Sequence, residues 1–447
     1  MSEAEDVLRK LADAHIRRVK LGATDIDGVL RGKYVSLEKF ASLASSNLGF
    51  CDVIFGWDIA DVLYDNVKYT GWHTGYPDAT ACIDLSTLRF IPWEPGTAFF
   101  LMDMRTREGD PLPISPRQVV GRVLERAASL GYTARLAAEY EFWLFRETPQ
   151  TLREKRFQDL STLSPGMFGY SVVRASQNAP LVLDMLEHME GFGIPLEGFH
   201  TETGPGVYEA AITVDDGVAA ADKAVLFKTA AKEITARHGV MPTFMAKWNS
   251  NLPGSSGHVH QSLISHADHK NVFHADGGMS ERMRHYIGGL CRYVPELMPM
   301  VAPTVNSYKR TVPGTWAPVN ATWGIDNRTT AIRAIPGSSK STRVELRLSG
   351  ADMNPYLAIA ASVAAGLQGI EERIEPPDPA TNAYTADAPQ LPRDLSEAVR
   401  AFRTSEMAVR WFGPEFVDHY ACTREWEVRQ YQRAVTDWEL ARYFEAV

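Results

Sequence analysis

Cysteine is scarce in this chain. Four residues in 447, Cys51, Cys82, Cys291 and Cys422, lie far apart and form no CxxC pair. That excludes a thiolate zinc centre and a disulfide framework, and it fits scattered buried thiols in a reducing cytoplasm. Basic charge is also in deficit, with 46 Lys and Arg against 55 Asp and Glu and a net charge of -9. No electrostatic footprint for nucleic acid follows from such a balance. Long apolar runs are missing: the most apolar stretch, 356–367, is alanine-rich and too short to cross a bilayer. The N-terminus lacks the basic region and apolar stretch of a secretory signal, so a cytoplasmic protein without a membrane partner is expected. Repeats, low-complexity tracts, a P-loop and a kinase-type glycine loop are all absent.

What remains is the composition of a globular protein, 45% hydrophobic and 23% charged. The length exceeds one ordinary domain and predicts two unequal ones. Asp27-Gly28 between two alternating runs predicts a hairpin within a mostly β first hundred residues. A boundary is expected in the Gly- and Pro-rich segment 109–116, giving domains at 1–108 and 109–447. Ser115 followed by Pro116 predicts a helix start, with its stop at Gly131. Further helices are expected over 215–238, 353–371 and 416–447. Strands are expected around Glu139, at 241–245 and at 343–347, with a polar Gly/Ser loop over 249–257. The second part is thus an α+β unit, with charged residues on one sheet face and helices on the other.

The chemistry lies in the carboxylates. Glu139 and Glu141 are two apart in an apolar strand, so both point to one spot. Two like charges held that close in an apolar setting need a positive partner. Glu202, Glu209, His258 and Glu345 stand at similar strand-like spacings in apolar or glycine-rich surroundings. Oxygen-rich sets with little nitrogen and no sulfur favour Mg²⁺ or Mn²⁺ over zinc. Several cations beside Arg310, Arg328, Arg333, Arg343, Arg347 and Lys340 suggest phosphoryl transfer, which depends on positive charge around the phosphoryl oxygens. Taken singly each element is weak: an isolated His-x-His is more often packed core, and an alternating Arg-x-Glu-x-Arg strand is usually a salt-bridge ladder. On that ground His260 is expected to be a packed neighbour of the site, and Trp323 and Trp426 core residues.

Jointly the motifs are specific. They are Glu139-Tyr140-Glu141-Phe142; His200-Thr201-Glu202 with Gly206-Val207-Tyr208-Glu209; Gly254-Ser255-Ser256-Gly257-His258; Asn306-Ser307-Tyr308-Lys309-Arg310; Asn327-Arg328; Ile332-Arg333; and Arg343-Val344-Glu345-Leu346-Arg347. In this ordered set the chain resembles the glutamine synthetase family, type I-like. The resemblance implies an N-terminal β-grasp domain and a catalytic domain with a half-barrel of antiparallel strands backed by helices. It implies one metal on Glu141, Glu202 and Glu209 and another on Glu139, His258 and Glu345, with two or three Mg²⁺ or Mn²⁺ per site. Glutamate is expected at Arg310, Arg347 and Gly254, beside His258. ATP is expected at Glu197, Ser262, Arg333, Lys340 and Arg343, with Arg328 steadying the transferring phosphoryl group. The family assembles as double rings, usually dodecamers of two hexamers, with sites shared between subunits, so a homo-oligomer is expected.

The chain departs from ammonia-using members at two places. Their flap carries a glutamate in Pro-Gly-x-Glu-Ala-Pro-Val, whereas here the segment is Pro313-Gly314-Thr315-Trp316-Ala317-Pro318-Val319. Their Phe-Asp-Gly-Ser-Ser-Ile motif is replaced by Phe55-Gly56-Trp57-Asp58-Ile59. An indole cannot deprotonate ammonium but offers a large apolar wall with a cation-friendly face. The expectation is an ATP-dependent ligase joining the γ-carboxylate of glutamate to a small organic amine through γ-glutamyl phosphate. Trp316 and Trp57 would bound the amine, and Asp58 or Glu202 would take its proton. The alternatives are an ammonia-using glutamine synthetase, a guanidino kinase and a non-catalytic homologue.

Overall fold

A computed structural model describes residues 2–44, 46–384, 386 and 388–447. Six strands fill the first hundred residues: β1 (Arg18–Thr24), β2 (Leu30–Ser36), β3 (Leu48–Cys51), β4 (Asp78–Ile83), β5 (Arg89–Phe90) and β6 (Thr97–Arg105). The expected hairpin joins β1 to β2. Gly28 turns it at φ 82°, a left-handed conformation glycine adopts freely, and the Asp25 carboxylate accepts from the N–H groups of Asp27 and Val29. Strand order is β2-β1-β6-β4-β3 with β5 on β6, and β1 and β6 run parallel at the centre. Helix Leu37–Leu43 lies against this sheet, its Phe40 stacked on Phe100 at 4.8 Å. A mixed sheet clasping a helix is the β-grasp arrangement.

The second sheet begins with β7 (Tyr132–Phe145), β8 (Leu196–Thr201), β9 (Val207–Ile212), β10 (Asp215–Asp216), β11 (Met241–Thr243) and β12 (Gly257–Ser265). After a small ribbon of β13 (His274–Ala275) and β14 (Gly278–Met279), it is completed by β15 (Trp323–Ile325), β16 (Ile332–Ile335) and β17 (Arg343–Leu346). Its order is β15-β16-β17-β12-β7-β9-β8, with β10 and β11 also pairing with β7. The pairs are antiparallel except β15 and β16, which run parallel across a short crossover turned by Asp326 at φ 50°. That crossover carries Arg328.

Strand β7 shows why the sheet holds its register. Ala134, Leu136, Ala138, Tyr140 and Phe142 alternate into the core, while Glu139 and Glu141 project from the other face. Helix Gly217–Ala236 packs behind, with Phe227 stacked on Tyr140 at 5.6 Å, and the alanine-rich helix Pro355–Glu372 is buried beside it. Each large side chain such as Phe142 contributes about 3 kcal/mol of burial. A one-residue slip would drive both glutamates into this apolar layer.

Several boundaries differ from expectation. The helix expected over 215–238 spans Gly217–Ala236, because Asp215 and Asp216 first pair with β7 as β10. Residues 241–245 supply only the three-residue β11. The C-terminal helix is two, Pro414–Arg433 and Asp437–Tyr443, divided where Thr436 and Glu439 form a capping box that starts a new helix. The helix at Ser115-Pro116 runs Pro116–Ser129 as its signals require. All four cysteines are free, but only Cys422 is fully buried. Trp323 and Trp426 are core residues. No helix among the described residues is long and apolar enough to cross a membrane.

One buried cation ties the two sheets together. Arg117, on helix Pro116–Ser129, bridges Asp84 at 2.7 Å and Asp103 at 2.6 Å beside the first sheet, and Asp222 at 2.9 Å behind the second. Tyr356 also donates to Asp222 at 2.6 Å. Removing the arginine leaves three carboxylates facing one another without their shared cation. Arg117→Ala is expected to cost about 3 kcal/mol or more in urea-induced unfolding; a loss below about 1 kcal/mol, the range of a surface pair, would contradict this role.

Candidate active site

Strand register gathers the charged residues. Glu139 on β7 lies opposite His258 on β12, and Glu141 lies opposite Glu209 on β9. Across β12 and β17, His260 lies opposite Glu345, which in turn faces Arg333 on β16. Residues more than two hundred positions apart thereby share one concave face. They line a cavity of about 770 Å³ with Glu202, Gly254, Arg310, Trp316, Arg328, Arg343 and Arg347.

Two groups of side chains that could hold a metal ion stand along it. In one, His258 Nδ1 is 3.2 Å from Glu139 and 3.3 Å from Glu345, and His260 Nε2 is 3.4 Å from Glu139. His260 is therefore inside the cluster rather than merely packed beside it. In the other, His200 Nε2 is 3.2 Å from Glu209, and its Nδ1 faces Glu202 at 3.9 Å. Glu141 stands between the groups and accepts from the Ser256 N–H at 2.7 Å.

The electrostatics suit a divalent cation. Burial opposes ionisation of Glu139, but His258 and His260 outweigh it and hold the carboxyl far below its usual range. Burial likewise opposes ionisation of Glu345, and His258 and Arg347 bring it down to about 2. Burial, aided by Arg347, pushes the His258 imidazole down against the pull of Glu139 and Glu345. His258 turns Nδ1 to the carboxylates of Glu139 and Glu345, while its buried Nε2 has no hydrogen-bond partner among the described residues. Around His200 the balance differs. Burial and the charges of Glu139 and Glu141 push Glu209 up against the His200 hydrogen bond. Burial works against charged His200, but Glu209 and Glu202 prevail and raise it.

The arginines occupy the other half of the cleft. Arg310 is buried and donates only to the carbonyls of Leu348 and Arg347, each at 3.2 Å, with no ion pair among the described residues. A buried guanidinium without an anion is poised for a carboxylate ligand. Gly254 is there because nothing larger fits: a Cβ would lie 2.6 Å from Arg310 Cγ and from the Ala246 carbonyl oxygen. Arg347 pairs with Glu345, and Arg333 bridges Glu345 at 3.0 Å and Asp326 at 2.5 Å. Trp316 stands on the flap with 65% of its surface exposed and φ 59°, which costs a non-glycine residue about 1 kcal/mol.

Other sequence-predicted residues lie elsewhere. Ser262 continues the β12 face beyond His260, Glu197 is exposed on β8, and Lys340 is exposed in the turn before β17. None of the three lines the cleft. Trp57 and Asp58 are not in the cleft of their own chain either. Asp58 accepts from the N–H groups of Ala60 and Val62 and from Trp426 Nε1 at 3.0 Å, and Trp57 lies under the Arg31 guanidinium. Sequence reasoning passed over His200 and Tyr170. His200 was signalled by its two-residue spacing from Glu202. Tyr170, stacked on His200 at 4.4 Å, comes from a distant loop pinned by its N–H to the Thr201 carbonyl, with no local signal.

Residues 113–443 match the glutamine synthetase catalytic domain. The chain is 45% identical over its whole length to type-1 glutamine synthetase 2 of Dictyostelium discoideum, covering 87% of that protein. It is 40% identical to the glutamate–isopropylamine ligase of a Pseudomonas species, over 98% of each chain. To the gamma-glutamylethanolamide synthetase of Streptomyces coelicolor it is 39% identical, over 99% of this chain and 95% of that one. A solved ADP complex of GmaS superposes with a TM-score of 0.86 at 28% identity, over 98% of this chain and 99% of that one. Fold and cleft define an ATP-dependent ligase that forms an amide. The chain belongs to the glutamine synthetase family.

The paired clusters make the metal-free protein pH-sensitive. His200 and Glu209 both bind protons more tightly folded than unfolded. The Glu209 contribution declines from about pH 4.5 and that of His200 from about 6.5, where the unfolded groups release their protons, and both are gone once pH passes the folded values of about 8 and about 9. With a chelator present, the melting midpoint is expected to fall between pH 6.5 and 8.5. Mn²⁺ should raise it more at pH 8.5 than at 6.5, and an equal or smaller gain at pH 8.5 would contradict the assignment.

Proposed function

We propose that this protein is a glutamate–amine ligase, joining the γ-carboxylate of glutamate to an organic amine at the expense of ATP. One observation carries the choice of amine over ammonia: at the flap position where ammonia-using relatives place a glutamate, Trp316 lines the cleft. Two relatives near 40% identity are named for isopropylamine and for gamma-glutamylethanolamide.

In this reading Arg310, Arg347 and the backbone at Gly254 hold glutamate, and Glu197, Ser262, Arg333, Lys340 and Arg343 serve ATP. Two or three Mg²⁺ or Mn²⁺ ions would be held by Glu141, Glu202 and Glu209 and by Glu139, His258 and Glu345, with His200 and His260 adjoining. When bound, they supply positive charge between two reacting anions. An oxygen of the glutamate γ-carboxylate attacks the terminal phosphorus of ATP, and the bond to the ADP oxygen breaks. Arg328 steadies the phosphoryl group in transit. The amine nitrogen then attacks the acyl carbon, the carbon–oxygen bond breaks, and phosphate leaves. The amine proton passes to Glu202 or to Asp58. Asp58 and Trp57 reach the cleft only from a neighbouring copy, which accords with a dodecamer of two hexameric rings sharing sites between domains 1–108 and 109–447.

A second reading is ammonia-dependent glutamine synthesis, favoured by the 45% identity to a protein named a glutamine synthetase. Phosphate release with Mg²⁺, ATP and glutamate separates the two. Turnover with ethylamine or isopropylamine should exceed that with ammonium at least tenfold, and preference for ammonium would sink the amine reading. Trp316→Glu restores a flap carboxylate. It is expected to lower kcat/KM for organic amines by about 10- to 100-fold, an apolar contact of ~1–3 kcal/mol, while raising that for ammonium.

A further inference from the structure

Trp316 and Arg328 each line two cavities. One is the cleft of carboxylates and arginines. The other, about 600 Å³, lies beyond them and is walled by Ile325, Asp326, Pro379 and Ala380. We infer that this second cavity receives the carbon body of the amine and that its walls select which amines are used. The inference rests on the amine-ligase reading of the cleft.

Position is the first argument. The reacting nitrogen must reach the acyl carbon beside Arg328, and the rest of the amine must leave that point in some direction. The sheet floor is closed by buried His258, Glu345 and Arg347. Beyond Trp316 and Arg328, where the two cavities meet, space of ligand size opens, within the roughly 300–1,000 Å³ common for small-molecule pockets.

Construction is the second. The wall at 379–381 is fixed, since Asn327 donates from Nδ2 to the carbonyls of Ala380 at 2.9 Å and Thr381 at 3.2 Å. The Ala380 N–H donates to the Trp323 carbonyl at 2.8 Å. Asn327 is itself oriented by the Thr329 N–H and hydroxyl, both donating to its Oδ1. Gly324 permits this approach, because a Cβ there would lie 2.8 Å from Asn327 Cβ and 2.9 Å from the Ala380 carbonyl oxygen. These contacts belong to the cavity wall and not to the metal-ligating face.

Chemistry is the third. Trp316 and Ile325 are 65% and 53% exposed, unusual for large apolar side chains that share a cavity. An alkyl or aryl group would cover them. Among the described residues Asp326 is the one carboxylate lining the cavity, and its Oδ1 accepts from both Nε and Nη2 of Arg333, at 3.0 and 2.5 Å. The remaining charge is Arg328. A distal ammonium would meet the Arg328 cation and a carboxylate whose charge Arg333 already offsets, so the cavity suits monoamines with an apolar or hydroxylated body and disfavours diamines.

Two substitutions away from the reacting groups test this. Ala380→Trp narrows the cavity and Ile325→Ala widens it. For each, kcat/KM is measured with ethylamine and benzylamine, alongside KM for glutamate and ATP. Ala380→Trp is expected to lower the benzylamine-to-ethylamine ratio by about tenfold, and Ile325→Ala to raise it, with glutamate and ATP KM within about twofold. In the unaltered enzyme butylamine should outperform putrescine at least tenfold. Parallel changes for the two amines in both variants, or equal use of butylamine and putrescine, would overturn the pocket assignment while leaving the ligase reading standing. Use of ammonium with no organic amine would instead remove the ligase reading itself. If Ala380→Trp does not fold, Ile325→Ala decides, since Ile325 is on the surface.

Discussion

Charge crowding governs this molecule. Five glutamates, Glu139, Glu141, Glu202, Glu209 and Glu345, line one cleft over a nine-stranded sheet, and burial opposes the ionisation of Glu139, Glu209 and Glu345. The fold meets this with histidines spaced between them and arginines along the rim. In the first cluster hydrogen bonds with His258 and His260 hold the Glu139 carboxyl far below its usual range, whereas in the second His200 and Glu209 bind protons more tightly than usual. Both arrangements are what a carboxylate set does when its strongest counter-charge is a diffusible cation. The apolar back of the sheet supplies the rigidity: Tyr140 and Phe142 lock β7 into the helices, and that lock keeps the intervening glutamates facing outward.

The second consequence is preorganisation for anions. Among the described residues Arg310 is buried without a carboxylate partner, and Gly254 lets the backbone approach it where any side chain would collide. A site that already bears the desolvation of its guanidinium gains the full electrostatic interaction when an acid arrives. Phosphoryl transfer between two anions requires such a surplus of fixed positive charge, and the glutamine synthetase catalytic fold provides it here. On the flap that borders the cleft, this chain carries an indole in a left-handed conformation.

Much of this was legible in the sequence because it is periodic or local. Alternation in 136–145 and 343–347 exposed the charged face, Ser115-Pro116 and Gly131 bounded a helix, and Asp27-Gly28 marked a hairpin. Thr436 and Glu439 also form a readable capping box, but the apolar content of 416–447 masked the break. Other features depend on contacts between distant segments and left no local trace. Tyr170 reaches His200 through a loop thirty residues away, Asp215 joins β7 rather than the following helix, and Asp58 is bound to Trp426 from the far end of the chain. The cavity beyond Trp316 is likewise invisible in the sequence, since its walls come from residues 325–329 and 379–381, brought together by Asn327.

The most direct test follows the oxygen and the nitrogen together. Glutamate labelled with ¹⁸O in its γ-carboxylate is incubated with Mg²⁺, ATP and equal ammonium and isopropylamine, and the products are weighed by mass spectrometry. A γ-glutamyl phosphate attacked by an organic amine predicts one ¹⁸O in the released phosphate, one in the amide, and γ-glutamylisopropylamide as the main product. Unlabelled phosphate would contradict activation of the carboxylate, and labelled phosphate with glutamine as the product would contradict the choice of amine.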